Sequence, residues 1–270
     1  RPGIHESQVA AVVEEVACRH GNVLAFPTIA TVKGQVLHNH GFIHDLKEGD
    51  IFLLDAGAES RNHYAGDLSS SMPVGERFTE RQEVIYNIHL ASFWAAVEKL
   101  QLGVPFREAH IAAATKIVEG MKDIGLMKGD PVEAAETGAY ALFFPCGLGH
   151  MMGLDVHDME NLGEQYVGYA AGEAKSLQFG FKSLRLARPL EPGFVFTVEP
   201  GIYFIPELID KWQAEHQFDD FICYDKLVAW RDFTGLRNEL DYVMTKDGAR
   251  CLGTIRKPMS LEEVYAAKGL

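Results

Sequence analysis

The stretch FVFTVEPGIY (Phe194–Tyr203) decides the fold of this 270-residue chain. Its apolar, β-branched residues predict a buried strand, and the Pro-Gly pair that follows Glu199 predicts a turn. A carboxylate at the end of a buried strand is unfavourable unless other charged groups pair with it. Glu199 therefore predicts a functional site with several charged members.

Other acidic residues and one histidine occupy similar places beside hydrophobic segments. They are Asp55 after Ile51–Leu54, Asp67 in YAGDLSSS, His150 in GLGHMMGLDVHD and Glu239 before LDYVMT. Each alone has a plainer interpretation, since an aspartate after a strand is usually a turn residue and an isolated histidine usually belongs to the core. Together, four carboxylates and one imidazole suit one or two divalent metal ions.

Strand periodicity places the last of these acids beside a cation. Alternation puts Arg237, Glu239 and Asp241 on one face of the strand predicted for Leu236–Thr245, and Asp55 and Asp67 can face each other across a hairpin. Two cations held about 3.5–4 Å apart by such ligands would generate a hydroxide and polarise a carbonyl group. An oxygen-rich site of this kind favours manganese or a similar ion.

Composition excludes several classes of protein. An apolar fraction of 47% supports a large core, and a formal net charge of −13 argues against nucleic acid or an anionic membrane as the main partner. The four cysteines are scattered without a CxxC pair, which favours reduced thiols and a cytoplasmic location. No segment resembles a membrane span or a signal peptide.

The order of predicted elements indicates an α+β fold, because helices and strands interleave without a βαβ rhythm. Helices are predicted for Ile4–His20, from a capping box at Thr79 and Gln82 to Leu100, and for Phe106–Ile124. Strands are predicted in Ala25–Leu37, Ile51–Leu54, Phe194–Tyr203 and Leu236–Thr245. A long loop is expected after His157 to about Ser183, and Pro206–Thr234 is predicted to be an insertion that packs on the body.

Five blocks of the sequence, in order, resemble the metal-ligand blocks of the pita-bread metallopeptidases, the family of methionine aminopeptidase, aminopeptidase P and prolidase. They are LLDAGAE (53–59), AGDLSSSMPV (65–74), GLGHMMGLDVHD (147–158), TVEPGIYF (197–204) and LRNELDYVMT (236–245). The prolidase (Xaa-Pro dipeptidase) branch is the most similar, on the run SLRLARPLEPG (183–193) and the aromatic-rich insertion. The resemblance implies a curved antiparallel sheet flanked by helices, and one catalytic domain over residues 1–270 without the family's N-terminal domain.

The resemblance also implies the role of each site residue. Two divalent ions, Mn²⁺ or else Co²⁺, Zn²⁺ or Fe²⁺, would be held by Asp55, Asp67, His150, Glu199 and Glu239. Glu199 would move the proton, with His157 and His38 beside the scissile bond. Substrate contacts are implied for Arg185, which would hold a C-terminal carboxylate, and for His157, Arg237 and Tyr203. The neighbouring His40 and His44 are alternatives to His38.

Three features depart from the family pattern. Cys146 stands where a histidine is usual, Asn39 stands where an aromatic residue is common, and the segment between Asp55 and Asp67 is about one residue longer, which predicts a β-bulge. A thiol at position 146 cannot act as a cationic partner.

The expected substrates are Xaa-Pro dipeptides, with aminopeptidase P activity on longer Xaa-Pro peptides as the alternative and a homodimer as a possible assembly. Methionine aminopeptidase fits the insertion less well. A pita-bread module that has lost its metals and only binds peptides, or a creatinase-like enzyme, would lack part of the ligand set, whereas all five residues are present here.

Overall fold

The computed structural model describes all 270 residues and has the α+β architecture that the sequence predicts. The helices are α1 Glu6–Arg19, α2 Glu80–Val97, α3 Phe106–Asp123, α4 Pro131–Thr137, α5 Glu164–Gly168, α6 Pro206–Ala214, α7 Tyr224–Leu227 and α8 Leu261–Ala267. Short 3₁₀ turns lie at Ala139–Leu142, Glu160–Leu162, Phe181–Ser183 and Val228–Trp230. No helix is both long enough and apolar enough to cross a membrane.

All the strands pair antiparallel, in three groups. They are β1 Ile29–Thr31, β2 Ile51–Ala56, β3 Leu68–Pro73, β4 Val195–Val198, β5 Gly201–Tyr203, β6 Gly235–Arg237, β7 Leu240–Thr245 and β8 Gly248–Cys251. The groups have the orders β1-β2-β3, β4-β7-β8 and β5-β6. Strand β6 also contacts β2 and β3, and β3 contacts β7. The three groups therefore meet at the strands that carry or adjoin the predicted metal ligands.

The largest hydrophobic cluster lies under α2 and α3. These two helices pack against each other, and α2 also contacts β4 and β5. The predicted capping box at the start of α2 is confirmed, because the Thr79 hydroxyl accepts from Gln82 N–H and the Gln82 side chain accepts from Thr79 N–H. One face of the core therefore supports the strands that carry Glu199.

The segment Leu236–Thr245, predicted as one strand, is divided into β6 and β7, and the run Phe194–Tyr203 is interrupted after Val198, close to the predicted end at Glu199. The predicted Pro-Gly turn is wrong, because the chain continues as β5 from Gly201. β4 and β5 pair with β7 and β6, with a gap at Glu199–Pro200 and, opposite, at Asn238–Glu239. The register is the same on both sides of this gap, so Glu199 lies opposite Glu239. Pro200 has no N–H to give to a ladder, which accounts for the interruption.

Several other boundaries differ from the sequence prediction. Only Ile29–Thr31 of the segment Ala25–Leu37 is a strand, and the expected loop up to Ser183 contains α5 and two 3₁₀ turns. The predicted bulge is wrong, because β2 and β3 keep one regular register and the extra residue belongs to their connecting loop. The insertion Pro206–Thr234 does pack on the body, through buried residues such as Trp212 and Tyr224.

A buried carboxylate joins α1 to the loop that precedes β2. Glu6 is fully buried, and its two side-chain oxygens accept hydrogen bonds of 2.9–3.1 Å from the backbone N–H groups of Val32, Ile43 and His44. The His44 ring lies 3.2 Å from the same carboxylate. This arrangement fixes both ends of the loop that carries His38 and His40.

We expect Glu6→Ala to lower the free energy of unfolding by roughly 2–4 kcal/mol, because three buried N–H groups lose a charged acceptor. Urea denaturation measures this change. Glu14→Ala is the matched control, since Glu14 is exposed on the same helix and should change stability by less than about 0.5 kcal/mol. Equal effects of the two substitutions would contradict the structural role of Glu6.

Candidate metal centre

Three of the five predicted ligands converge most closely. Asp67, His150 and Glu239 are buried, and one donor atom from each lies within 4.8 Å of the others. Nε2 of His150 lies 3.5 Å from Oδ2 of Asp67 and 3.5 Å from Oε1 of Glu199. Nδ1 of His150 donates to the Met151 carbonyl at 2.9 Å, and this bond turns Nε2 toward the carboxylates.

The approach of His150 to β4 depends on a glycine. A Cβ atom on Gly149 would lie 2.1 Å from the Thr197 carbonyl oxygen. Without that atom, the segment pairs with the strand: Thr197 N–H donates to the His150 carbonyl at 3.0 Å and His150 N–H donates to the Thr197 hydroxyl at 3.1 Å. The same hydroxyl donates to Oε1 of Glu199 at 3.2 Å.

Arg237 connects Asp55 to Glu239 through hydrogen bonds. Its guanidinium donates from NH2 to Oδ2 of Asp55, from Nε to the Ser69 hydroxyl at 2.9 Å, and from NH1 to the Tyr203 hydroxyl at 2.9 Å. The Ser69 hydroxyl in turn donates to Oε2 of Glu239 at 2.7 Å. One buried guanidinium therefore orients Asp55 directly and Glu239 through the Ser69 hydroxyl.

Four buried carboxylate oxygens at the centre have no hydrogen-bond partner. They are Oδ1 of Asp55, Oδ1 of Asp67, Oε1 of Glu239 and Oδ1 of Asp241. An unpartnered buried carboxylate oxygen is strongly unfavourable, and coordination of a cation removes that penalty. The donor set of carboxylate oxygens with one imidazole nitrogen fits hard or borderline divalent ions, so these residues fit the implied metals.

The crowding of acids perturbs their protonation. Burial raises the pKa of Glu199 to about 7 and raises the pKa of Glu239 well above its usual range, with the neighbouring carboxylates adding to both effects. Burial alone would lower the pKa of His150, but Asp67 and Glu199 raise it to about 9. Each group thus favours the state with less negative charge in the cluster.

Two further residues, Asp241 and Lys257, belong to the centre and were not assigned to it from the sequence. Asp241 accepts from the Asp67 N–H at 3.2 Å through Oδ2, and burial raises its pKa to about 7. Lys257 donates to the Ser69 carbonyl, to the Ser70 hydroxyl at 3.0 Å and to Oδ1 of Asn238 at 3.4 Å. The strand alternation that identified Glu239 in the sequence also placed Asp241 on the same face. No sequence signal distinguished Lys257.

All five predicted ligands line one cavity of about 580 Å³. Its walls also include His38, His157, Arg185 and Arg237 from the predicted site, the cations Lys175 and Lys182, and the apolar residues Phe26, Ile29, Leu37 and Val156. Cys146 also lines the cavity, where burial raises the pKa of its thiol to about 12 and keeps it neutral.

The three neighbouring histidines separate into two groups. His38 and His40 both line the cavity, whereas His44 is bonded to Glu6 on the far side of the loop. Burial and the positive charges of Arg237 and Arg185 lower the pKa of His38. His44 is therefore removed as an alternative to His38, and His40 remains one.

His157 and Arg185 share one carboxylate. The His157 ring stacks on His150 with ring centroids 3.9 Å apart, and its Nδ1 lies 3.1 Å from Oε2 of Glu160. Arg185 NH1 donates to the same oxygen and lies 3.8 Å from Glu164. Glu160, which the sequence analysis left in a loop, thus joins the two residues predicted to contact substrate.

Tyr203, predicted as a substrate contact, lies behind the cavity residues and is not part of the cavity lining. The ring is fully buried, and its hydroxyl accepts from Arg237. Arg237 reaches the cavity wall, but its guanidinium is engaged by Asp55, Ser69 and Tyr203. Both residues are placed to orient the ligands.

The comparison with known proteins agrees with this geometry. Residues 1–246 match metallopeptidase family M24. The chain belongs to this family. Among curated relatives, this M24 chain is 38% identical to the Xaa-Pro dipeptidase of Mus musculus over 221 residues, and 35% identical to the probable Xaa-Pro aminopeptidase pepP of Botryotinia fuckeliana over 205 residues. The alignments cover 82% and 76% of this chain and 43% of each relative.

The fold is also that of a solved member of the group. The structure of Pseudomonas aeruginosa aminopeptidase PepP superposes with a TM-score of 0.78 at 30% identity, covering 100% of the M24 chain and 53% of the bacterial one. The pita-bread fold expected from the sequence is confirmed. The chain spans about half the length of these relatives, or less.

The protonation of the cluster predicts how the stability of the metal-free protein depends on pH. Glu199 and Asp241 have folded pKa values near 7, above those of unfolded carboxyl groups, and His150 has one near 9, above that of unfolded histidine. Each of these three groups therefore binds more protons in the folded state, whereas the buried, neutral His89 and His110 bind fewer. Above about pH 6.5 unfolded histidine is mostly neutral, so the raised groups dominate and stability falls as pH rises to about 8.

Thermal unfolding of chelator-treated protein should show a melting temperature that decreases from about pH 6.5 to pH 8. Protein with added Mn²⁺ should resist this loss, because cations favour the ionised carboxylates. A melting temperature of chelated protein that stays constant or rises across this range would contradict the crowding of these acids.

Proposed function

We propose that this M24 chain hydrolyses Xaa-Pro peptide bonds with the aid of two divalent cations, and that its preferred substrates are Xaa-Pro dipeptides. The observation that carries the proposal is the single cavity that all five candidate ligands share with Arg185, His157 and His38. A site for a dipeptide needs a group for the free carboxylate just after proline, and a planar guanidinium can bind a carboxylate with two hydrogen bonds. The names of the dipeptidase and aminopeptidase relatives support the same bond specificity.

Each residue has a proposed part in the reaction. Asp55, Asp67, His150, Glu199 and Glu239 would hold the cations, which supply an activated water and polarise the scissile carbonyl. Glu199 would accept a proton from the water and return it to the departing proline nitrogen.

The substrate would be fixed by the remaining cavity residues. His157 and His38 would donate hydrogen bonds near the scissile carbonyl and steady the charge that develops there. The apolar residues Phe26, Ile29, Leu37 and Val156 suit a pyrrolidine ring. We propose Mn²⁺ as the ion, with Co²⁺, Zn²⁺ or Fe²⁺ as alternatives for the same donor set.

Two further proposals concern the whole chain. We infer that residues 1–270 act as one catalytic domain, because the candidate ligands and the cavity residues all come from within it. The four cysteines are all free, which supports a reducing compartment such as the cytoplasm.

Aminopeptidase P activity on longer Xaa-Pro peptides is the second candidate, favoured by the similarity to the Pseudomonas enzyme. A non-catalytic peptide-binding module is disfavoured, because the complete acidic ligand set and its unpartnered oxygens would then serve no purpose. In both catalytic alternatives the metal chemistry is the same, so substrate length distinguishes them.

The test of this function is hydrolysis after metal removal and replacement. Chelation should abolish cleavage of Gly-Pro, and added Mn²⁺ should restore it, with a higher kcat/KM for Gly-Pro than for Gly-Pro-Ala. A higher kcat/KM for the tripeptide would favour aminopeptidase P, and no hydrolysis of either peptide by Mn²⁺-loaded protein would contradict the proposal.

Substitution of Arg185 tests the recognition of the free carboxylate. Arg185→Ala should lower kcat/KM for Gly-Pro by about 10²-fold, since a charge-assisted pair contributes roughly 1.5–3 kcal/mol, and should affect Gly-Pro-Ala much less. Arg188→Ala is the matched control, because Arg188 lies in the same run, bonds to Glu191 and does not line the cavity. An equal loss on both substrates would show that Arg185 does not select the dipeptide.

A further inference from the structure

A histidine in the core contacts the strand gap from the side opposite to the cavity. His89 lies on α2 and is fully buried. Its Nε2 atom is 2.8 Å from the carbonyl oxygen of Pro200 and 3.3 Å from the backbone nitrogen of Asn238. Pro200 follows Glu199, and Asn238 precedes Glu239, so one ring touches both sides of the gap that presents these two glutamates.

The shorter contact decides the tautomer of the ring. Burial, the largest effect, lowers the pKa of His89 to about 4, so the imidazole is neutral and carries one ring hydrogen. A lone pair on Nε2 would oppose the Pro200 carbonyl at 2.8 Å, and we therefore assign the hydrogen to Nε2, which donates to that carbonyl. The Asn238 N–H also points at Nε2, at 3.3 Å, but a protonated Nε2 has no lone pair left to accept it.

Other contacts hold the rest of the gap. The Glu239 N–H donates to the Ser69 carbonyl at 3.0 Å, and the Glu199 N–H donates to the Leu148 carbonyl at 2.7 Å. Both N–H groups thus point away from the partner strand, as at any non-hydrogen-bonded pair of an antiparallel ladder. The Pro200 carbonyl bonds to the side chain of His89.

We propose that His89 is a positioning residue for the metal centre: its imidazole fills the strand gap, bonds the Pro200 carbonyl, and so sets the separation of Glu199 and Glu239. The proposal rests on the function proposed above, in that these two glutamates are taken as ligands. Residues behind metal ligands commonly change metal affinity by about 10- to 100-fold when substituted. His89 therefore acts on the two glutamates. Loss of its imidazole should change metal affinity more than substrate affinity.

The chain offers a matched control in His110. This residue is also fully buried and neutral, lies on α3, and has one ring hydrogen bond, to the Tyr140 hydroxyl at 2.7 Å. Its ring packs among Tyr140, Phe144 and Phe181. Replacing it removes the same kind of buried polar group without touching the gap.

The experiment compares the full chain with His89→Leu and His110→Leu. Calorimetric titration of chelated protein with Mn²⁺ measures stoichiometry and Kd, thermal unfolding measures stability, and Gly-Pro hydrolysis gives kcat and KM. We expect both substitutions to lower the melting temperature. His89→Leu alone should weaken Mn²⁺ binding by about tenfold or more and lower kcat with little change in KM.

A second pair of variants tests the same hydrogen bond if His89→Leu does not fold. The side-chain amide nitrogen of glutamine corresponds to Nε2 of histidine and can donate to Pro200, whereas that of asparagine corresponds to Nδ1 and falls short. His89→Gln should therefore bind Mn²⁺ about tenfold more tightly than His89→Asn.

The outcomes separate this proposal from the proposed function. Wild-type protein that binds two Mn²⁺ ions, together with His89 variants that bind them equally well, would overturn the role of His89 and leave the function intact. The same holds if His110→Leu weakens Mn²⁺ binding as much as His89→Leu does. Wild-type protein that binds no divalent ion would overturn both.

Discussion

The structure depends on the confinement of several carboxylates in one small volume away from water. Asp55, Asp67, Glu239 and Asp241 are each less than one-tenth exposed, and like charges at such separations oppose one another strongly. Arg237 offsets part of this repulsion, since its guanidinium is buried and bonded to Asp55. Arg237, Lys257 and a protonated His150 supply three positive charges against five acids once Glu199 is counted, so the remaining charge must be neutralised by further protons or by bound cations. A bound cation would remove this repulsion, and for that reason the same cluster is the candidate metal centre.

The strand pairing determines which way the two glutamates direct their backbone N–H groups. Glu199 lies opposite Glu239 at a position where, by the alternation of the antiparallel ladder, neither N–H points to the partner strand. These N–H groups donate instead to the carbonyls of Leu148 and Ser69, which attaches the His150 segment and β3 to the two outer edges of the strand pair. Residues far apart in sequence thus meet because both edges of one strand pair are occupied.

The sequence could predict the candidate ligands but not the residues that hydrogen-bond to them or to their backbone. Asp67, His150 and Glu239 stand out because a charged group beside an apolar run needs a reason, and the structure brings the three together. His89, Lys257 and Glu160 gave no such signal. A histidine in a helix, a lysine near the C-terminus and a glutamate in a polar segment are ordinary residues. Their roles depend on the path of other backbones, as the division of the Phe194–Tyr203 run into two strands illustrates, and local periodicity does not contain that path.

A shared carboxylate also orients side chains in the cavity wall beyond the candidate ligands. Glu160 accepts from both His157 and Arg185, so one carboxylate fixes the orientation of two side chains that come from different segments. Only NH1 of Arg185 bonds to Glu160, and the guanidinium carries further N–H donors. The acid can thus hold Arg185 in place without occupying all of its hydrogen-bonding capacity. Because His157 also stacks on His150, a displacement of Glu160 would be transmitted to a metal ligand through one intervening ring. The residue proposed to recognise an anion and a proposed metal ligand are therefore connected through Glu160 and His157.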